Sequence, residues 1–182
     1  MNIALDMMGG DFAPLEAVKG IRLYLQNNSS PQQLLLIGDE PAIKSLLGSH
    51  DISSDCITVI HASQVIEMHE HPTKALKEKQ QSSIAIGFYL LASGKADAFI
   101  SAGNTGAMMV GALFSIKAIE GVLRPTIGAY LPKENGRLGL LGRDRILGRI
   151  FGLSKQGLEL FIFHAFARTE SASLSDKKHF QR

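Results

Sequence analysis

The residues best suited to chemistry form a run of small side chains, Ser-Ala-Gly-Asn-Thr-Gly at 101–106, which we call the central turn. The run follows an apolar segment at 98–100 that is typical of a buried strand. It precedes residues 107–119, whose apolar spacing predicts a helix. Free backbone N–H groups and the positive end of a helix dipole favour an anion, phosphate above all. The same run would also suit a strand-to-helix turn without a ligand, capped by Asn104 or Thr105.

A second glycine turn follows the first apolar run of the chain, and we call it the N-terminal turn (residues 7–11). The run at 2–6 ends in the carboxylate of Asp6, and Gly9, Gly10 and Asp11 come shortly after it. Glycines in such turns can take positive φ and leave the backbone accessible. Asp6 and Asp11 could orient groups at a binding site, or each could cap a turn or a helix.

Apolar runs and helix-length segments alternate along the first 131 residues. Strands are predicted at 2–6, 34–37, 57–60, 98–100 and 126–131, and helices at 14–25, 41–47, 73–80, 84–91 and 107–119. Unbroken apolar strands separated by helices indicate a parallel sheet that is covered on both faces. We therefore predict an α/β fold with three layers, α/β/α, and a mainly parallel sheet. Because ligands of such sheets lie beyond the carboxyl ends of the strands, the two turns should converge on one anion.

Composition describes an ordinary soluble globular protein, with 182 residues, 45% hydrophobic and 20% charged. A single cysteine, Cys56, excludes an internal disulfide framework, so a reducing cytoplasm is the simplest location. We see no signal peptide, and the longest apolar run, 84–92, is too short to span a bilayer. His69 and His71 flank Glu70, but no further ligands stand at a fitting spacing, and we predict no metal site.

Two further polar groups lie between the turns. Lys74, Lys77 and Lys79 share the predicted helix at 73–80, and they could attract phosphate or an acidic partner, or simply form a solvated face. Ser82 and Ser83 precede the next helix, where they could contact a ligand or serve as its N-cap.

Several ordered motifs resemble the bacterial phosphate acyltransferases of phospholipid synthesis. They are Ile-Ala-Leu-Asp-Met-Met-Gly-Gly-Asp-Phe-Ala-Pro at 3–14, His-Pro-Thr-Lys-Ala-Leu-Lys at 71–77, Ser-Ser-Ile at 82–84, Ser-Ala-Gly-Asn-Thr-Gly-Ala at 101–107 and Arg-Pro at 124–125. The resemblance runs from residue 1 to about Leu141. It implies a fold similar to those of phosphate acetyltransferases and isopropylmalate dehydrogenases, here truncated.

The resemblance implies transfer of a fatty acyl group from acyl carrier protein to inorganic phosphate. The acyl phosphate product would then pass to a membrane acyltransferase that acts on glycerol 3-phosphate. A homodimer, a peripheral association with the inner face of the membrane, no cofactor and no nucleic-acid partner are expected with it. On this interpretation the catalytic residues are Ser101, Asn104 and Thr105, and the phosphate or substrate contacts are Asp6, Gly9, Gly10, Asp11, Lys77, Ser82, Ser83, Gly103 and Gly106.

Two other functions use the same turns. A non-catalytic phosphate- or nucleotide-binding module needs the glycine turns but no thioester chemistry. A dehydrogenase of the isopropylmalate type would share the fold, but it should carry an arginine cluster and metal-binding aspartates, and neither is evident.

The resemblance ends near Leu141, and the composition changes at about the same place. From Arg137 onward there are nine Lys and Arg against four Asp and Glu, five of the nine Phe, and no Val, Pro, Asn or Tyr. The tail (residues 142–182) could be an out-of-frame reading after a frameshift, a divergent ending of a shortened paralogue, or a basic amphipathic membrane anchor. Residues 171–182 are predicted to be disordered. Because a sheet cut after five or six strands leaves an edge and an apolar face uncovered, we predict a poorly stable, inactive chain.

Overall fold

The computed structural model describes residues 1–118, 128–132 and 138–142. Strands and helices alternate along this part of the chain. In order they are β1 (Asn2–Asp6), α1 (Leu15–Asn27), β2 (Gln33–Gly38), α2 (Glu40–Ser49), β3 (Ile57–His61), α3 (Pro72–Glu78), α4 (Ser83–Ala92), β4 (Ala98–Ile100), α5 (Thr105–Ser115), β5 (Gly128–Pro132) and β6 (Leu138–Gly142).

The first four strands form one parallel sheet in the order β3-β2-β1-β4. The chain moves outward from β1 to β3 and then returns to the other side of β1 to add β4. A switch point in strand order therefore lies between β1 and β4, where Leu5 pairs with Ile100. The N-terminal turn and the central turn leave the sheet at this point, from neighbouring strands and at the same edge.

Two apolar cores cover the two faces of the sheet, which confirms the predicted three-layer α/β/α fold. Side chains alternate along β2, so that Leu34 and Leu36 pack with α1 and α2, while Leu35 and Ile37 face α4 and α5. On the second face α5 comes close to α4 because Gly111 has no side chain where the ring of Phe88 lies.

The helices and strands predicted at 2–100 are confirmed with small changes at their ends. The last helix begins two residues earlier than predicted, at Thr105, and it ends at Ser115 rather than at 119. Lys117, just beyond its end, has a left-handed φ of 71°, a conformation that a continuing helix cannot contain.

The predicted fifth strand is present, and it lies outside the parallel sheet. β5 pairs with β6 in an antiparallel two-stranded sheet, and β6 was not predicted. Only residues 133–137 separate the two strands, and a parallel pair would need a crossover of a dozen residues or more.

Some of the sequence predictions lie outside the described residues: the Arg124–Pro125 pair, almost all of the tail, and the disorder predicted at 171–182. In the described part of the chain, none of the helices combines the length and the apolar character needed to cross a lipid bilayer.

Candidate functional site

The two glycine turns lie against each other at the carboxyl edge of the sheet, as predicted. A Cβ atom placed on Gly9 would come within 2.5 Å of the backbone N and 2.9 Å of the Cα of Gly103. No side chain fits in that space, so the approach of the two backbones requires glycine at position 9. The neighbouring residue, Gly10, has a φ of 99°, a backbone conformation that favours glycine at position 10 as well.

The carboxylate of Asp6 connects the two turns, and Asp6 is buried between them, with 6% of its surface exposed. Its Oδ2 accepts a hydrogen bond from the Ser101 hydroxyl at 2.7 Å, and its Oδ1 accepts one from the N–H of Met8 at 2.9 Å. The N–H of Gly103 in turn donates to Ser101 Oγ at 2.9 Å. Both oxygens of Asp6 and the proton of Ser101 are therefore engaged in holding the turns together.

Asn104 is also engaged by the protein. It is the N-cap of α5, where its Oδ1 accepts a hydrogen bond from the N–H of Ala107 at 2.9 Å. Its Nδ2 donates to the carbonyl oxygens of Glu67 at 2.9 Å and Glu70 at 3.1 Å. The side chain is 4% exposed, so it joins the start of α5 to the 67–70 loop. Its predicted direct contact with substrate stays a prediction.

Backbone N–H groups remain available around the junction of the turns. Those of Gly9, Gly10, Thr105 and Gly106 have no hydrogen-bond acceptor among the described residues. For Thr105 and Gly106 this follows from their place at the start of α5, because the first N–H groups of a helix have no partner within it. The side chain of Thr105 is also exposed. Such an arrangement of donors at a helix N-terminus is suited to an anion.

Asp11 lies exposed in the N-terminal turn, and it does not cap α1. The N-cap position of that helix is Pro14, which makes no side-chain capping bond. The interpretation of Asp11 as a helix cap is therefore wrong. Asp6, in contrast, does cap its own turn through the N–H of Met8.

The three lysines of the α3 region differ from one another. Lys79 Nζ forms an ion pair with Glu70 Oε2 at 2.7 Å and donates to the carbonyl oxygen of Val65, also at 2.7 Å. The hydrogen bond from Lys79, followed by one from the N–H of Glu67, holds the pKa of Glu70 below its usual range. Lys74 and Lys77 are exposed. They lie on the helix whose first residue, Pro72, packs against Gly106 at the start of α5.

Ser82 and Ser83 are both buried at the start of α4. Ser82 is the N-cap, and its Oγ accepts from the N–H of Ala85 and donates to the carbonyl oxygen of Lys79. In the described residues no hydrogen bond joins either serine to the two turns. The N-cap interpretation of Ser82 is confirmed, and substrate contacts by either serine stay predictions.

An apolar trough of about 490 Å³ opens from the two turns and lies between α1 on one side and β1 and β4 on the other. The sequence prediction missed it. Ala17 and Gly20 line it from α1, at a spacing of three residues that brings them to one helix face, and Ala13 lines it from just before the helix. That row of small residues was the available signal. Among the described residues, no three His, Cys, Asp or Glu side chains are grouped as metal ligands.

Comparison with known proteins identifies a consistent set of relatives. Residues 1–141 match the sequence model of a family described as fatty acid synthesis protein. The phosphate acyltransferase of Dictyoglomus turgidum is 46% identical over 133 residues, which cover 72% of this chain and 39% of that protein. That of Herpetosiphon aurantiacus is 43% identical over 141 residues, covering 78% and 38%.

One relative aligns along the whole chain. The phosphate acyltransferase of Caldanaerobacter subterraneus is 35% identical over 198 positions, which cover 100% of this chain and 58% of the relative. The family match thus ends at residue 141, where the resemblance was expected to end, while this alignment continues through the tail. The chain spans roughly two fifths to three fifths of the length of these relatives.

Proposed function

Because the chain belongs to the family of fatty acid synthesis proteins, we propose that its two glycine turns bind inorganic phosphate for acyl transfer. The acyl donor is a fatty acyl thioester of acyl carrier protein. A phosphate oxygen attacks the thioester carbonyl carbon, and a tetrahedral oxyanion forms. The C–S bond then breaks, the carrier leaves as its thiolate, and the product is an acyl phosphate.

Two observations support this proposal: Gly9 and Gly103 bring the two turns into contact, and several N–H groups of these turns have no acceptor among the described residues. Phosphate attack needs a held, oriented dianion and donors that stabilise the developing oxyanion. The N–H groups of Gly9, Gly10, Thr105 and Gly106 are suited to both tasks. In this role Asp6 is a positioning residue, because it acts on the substrate only through Ser101 and the backbone.

Docking of the carrier protein is proposed at α3. An acidic partner would be attracted by the exposed Lys74 and Lys77, and α3 packs beside the start of α5. A carrier bound there would bring its acyl thioester toward the two turns. The acyl phosphate would then serve a membrane acyltransferase acting on glycerol 3-phosphate, and a homodimer is proposed for the whole protein.

The direct test is to incubate the purified chain with acyl-acyl carrier protein and inorganic phosphate, and to trap acyl phosphate with hydroxylamine as the hydroxamate. Hydroxamate that depends on phosphate is the result that the proposed function requires, and it would contradict the inactivity predicted from the shortened sheet. The full-length Dictyoglomus turgidum relative is the positive control. Phosphate binding by calorimetry without hydroxamate would favour the non-catalytic binding module. Absence of both binding and product would overturn the proposed phosphate site.

The docking proposal is tested by reversing two charges. Lys74→Glu combined with Lys77→Glu should raise the KM for acyl-acyl carrier protein about tenfold, because two favourable charge contacts become repulsive. The rate with a small acyl-pantetheine thioester should not change. Arg22→Glu combined with Lys95→Glu makes the same change of charge elsewhere and is the matched control, because both side chains are exposed and form no ion pair among the described residues. An equal effect of both pairs would show that net charge, rather than α3, attracts the carrier.

A further inference from the structure

The trough beside the two turns owes its space to the small side chains of one helix face. Ala17 and Gly20 of α1 stand opposite Ile3 and Leu5 of β1 and Ile100 of β4. Ile100 of β4 remains 53% exposed. The volume of about 490 Å³ lies within the usual range of small-molecule sites.

We propose that this trough binds the hydrocarbon chain of the acyl group, an inference that rests on the proposed transfer to phosphate. Gly9, Gly10 and Ser101 belong both to the two turns and to the wall of the trough. A thioester carbonyl held at the turns therefore has the trough directly beside it for its chain. The trough follows β1 from Asp6 back to Ile3, a length of about 10 Å at the usual rise of a strand.

The charges of the wall favour a neutral ligand over a free fatty acid. The carboxylates that line it in the described chain are Asp6, Asp11 and Glu16, and no Lys, Arg or His lines it there. Asp6 accepts two hydrogen bonds, and Glu16 forms an ion pair with Lys19 at 2.7 Å. A carboxylate head group would find no cation in this wall, whereas an acyl thioester carries no charge at that end.

Gly20 offers a way to shorten the trough without disturbing the fold. A Cβ atom added to it meets nothing within 4 Å, so a larger side chain at this position has open space to occupy. Gly48 of α2 is a matched control, since it is also helical, exposed and open, but it does not line the trough. Replacement of either glycine by leucine should also favour the helix, so loss of folding is not expected.

The test is calorimetric binding of saturated acyl-pantetheine thioesters, from butanoyl to tetradecanoyl, to the purified chain. The affinity of the wild-type chain should rise about threefold to fourfold per added methylene until the trough is full, and then level off. Gly20→Leu should level off at a shorter acyl length and bind the longest thioester at least about tenfold more weakly. Butanoyl binding should be unchanged, and Gly48→Leu should behave as the wild type.

The proposal would be overturned if the affinity of the wild-type protein did not depend on acyl length. It would also be overturned if Gly20→Leu and Gly48→Leu showed the same dependence of affinity on acyl length. Occupation of the trough by a second copy of the chain would give the first of these results, together with self-association in sedimentation. The proposed function fails separately. If binding depends on chain length but no acyl phosphate forms, the acyl site stands and the proposed transfer is wrong. If acyl phosphate forms but Gly20→Leu levels off at the same acyl length as the wild type, the transfer stands and the acyl site is wrong.

Discussion

The two turns that meet at the carboxyl edge of the sheet are held in place by different means. In the central turn, Ser101 donates to Asp6, and Asn104 caps α5 and binds the 67–70 loop. The N-terminal turn has far fewer side-chain contacts. Asp6 accepts from the N–H of Met8, and beyond it Gly10 is exposed with a positive φ, followed by a helix without a side-chain cap.

This difference assigns different work to the polar residues of the site. Ser101 and Asn104 of the central turn act mainly as supports, because their polar atoms already have partners within the protein. The N-terminal turn contributes backbone, and its value depends on how closely that backbone approaches Gly103. Changes to the close approach should therefore impair binding most, and changes to the supports should impair stability more than binding.

The largest effect is expected for Gly9→Ala. The new methyl group would lie 2.5 Å from the N of Gly103 and 2.7 Å from Asp6 Oδ2, so the two turns must separate. Phosphate affinity and acyl transfer should each fall at least about 100-fold, as expected for a displacement near 1 Å in a site of fixed geometry. The free energy of unfolding should fall by about 1–3 kcal/mol. Calorimetry with phosphate and urea denaturation measure the two effects.

Gly48→Ala is the control for this substitution, because its added methyl group meets nothing within 4 Å. It should leave phosphate affinity unchanged and preserve or slightly raise stability. A Gly9→Ala chain that binds phosphate as well as the wild type would contradict the assignment of the site to the junction of the turns.

A smaller effect, and mainly on stability, is expected for Asn104→Ala. The substitution removes the cap of α5 and leaves the carbonyl oxygens of Glu67 and Glu70 without their donor. Together these losses should lower the free energy of unfolding by about 2–3 kcal/mol, measured in urea. Asn104→Asp keeps the capping oxygen but loses the N–H donor, so its free energy of unfolding should lie between those of the wild type and Asn104→Ala.

Thr105→Ala is the neighbouring control. Thr105 is exposed, and substitutions of this kind usually change stability by less than about 0.5 kcal/mol. If Asn104→Ala reduced phosphate affinity as strongly as Gly9→Ala while stability hardly changed, the side chain would be a ligand contact rather than a support. The distinction between the two turns would then be lost.

The apolar pattern was enough to predict the parallel sheet and the meeting of the turns. Leu34, Leu36 and their neighbours on β2 are apolar on both faces, which is typical of a strand between two helical layers. The partners of Asn104 Nδ2 were not predictable, since they lie 34 to 37 residues away and depend on how the 67–70 loop packs. The trough depends likewise on where α1 lies relative to β4, although the row of small residues on α1 was visible.

The smallest effect concerns the ion pair that holds the loop bound by Asn104. Lys79 holds the pKa of Glu70 below its usual 4.5, so the unfolded chain takes up a proton at this group before the folded chain does. The stabilising contribution is therefore complete above the usual pKa, and it is lost as the pH falls through the lower folded value. Glu70→Gln should remove this dependence on pH. The difference in the free energy of unfolding between Glu70→Gln and the wild type should therefore shrink as the pH falls from about 7 to about 3.

Urea midpoints across this range measure the effect, and a second substitution relates it to the central turn. Because Glu70 and Asn104 support the same loop, Glu70→Gln combined with Asn104→Ala should cost less than the two separate losses together. Glu40→Gln is the matched control, since Lys44 lowers the pKa of Glu40 in the same way on α2. Its effect should add to that of Asn104→Ala. If the losses of stability were additive in both pairs, Glu70 and Asn104 would support the loop and the central turn independently. Asn104 alone would then count as a support of the central turn.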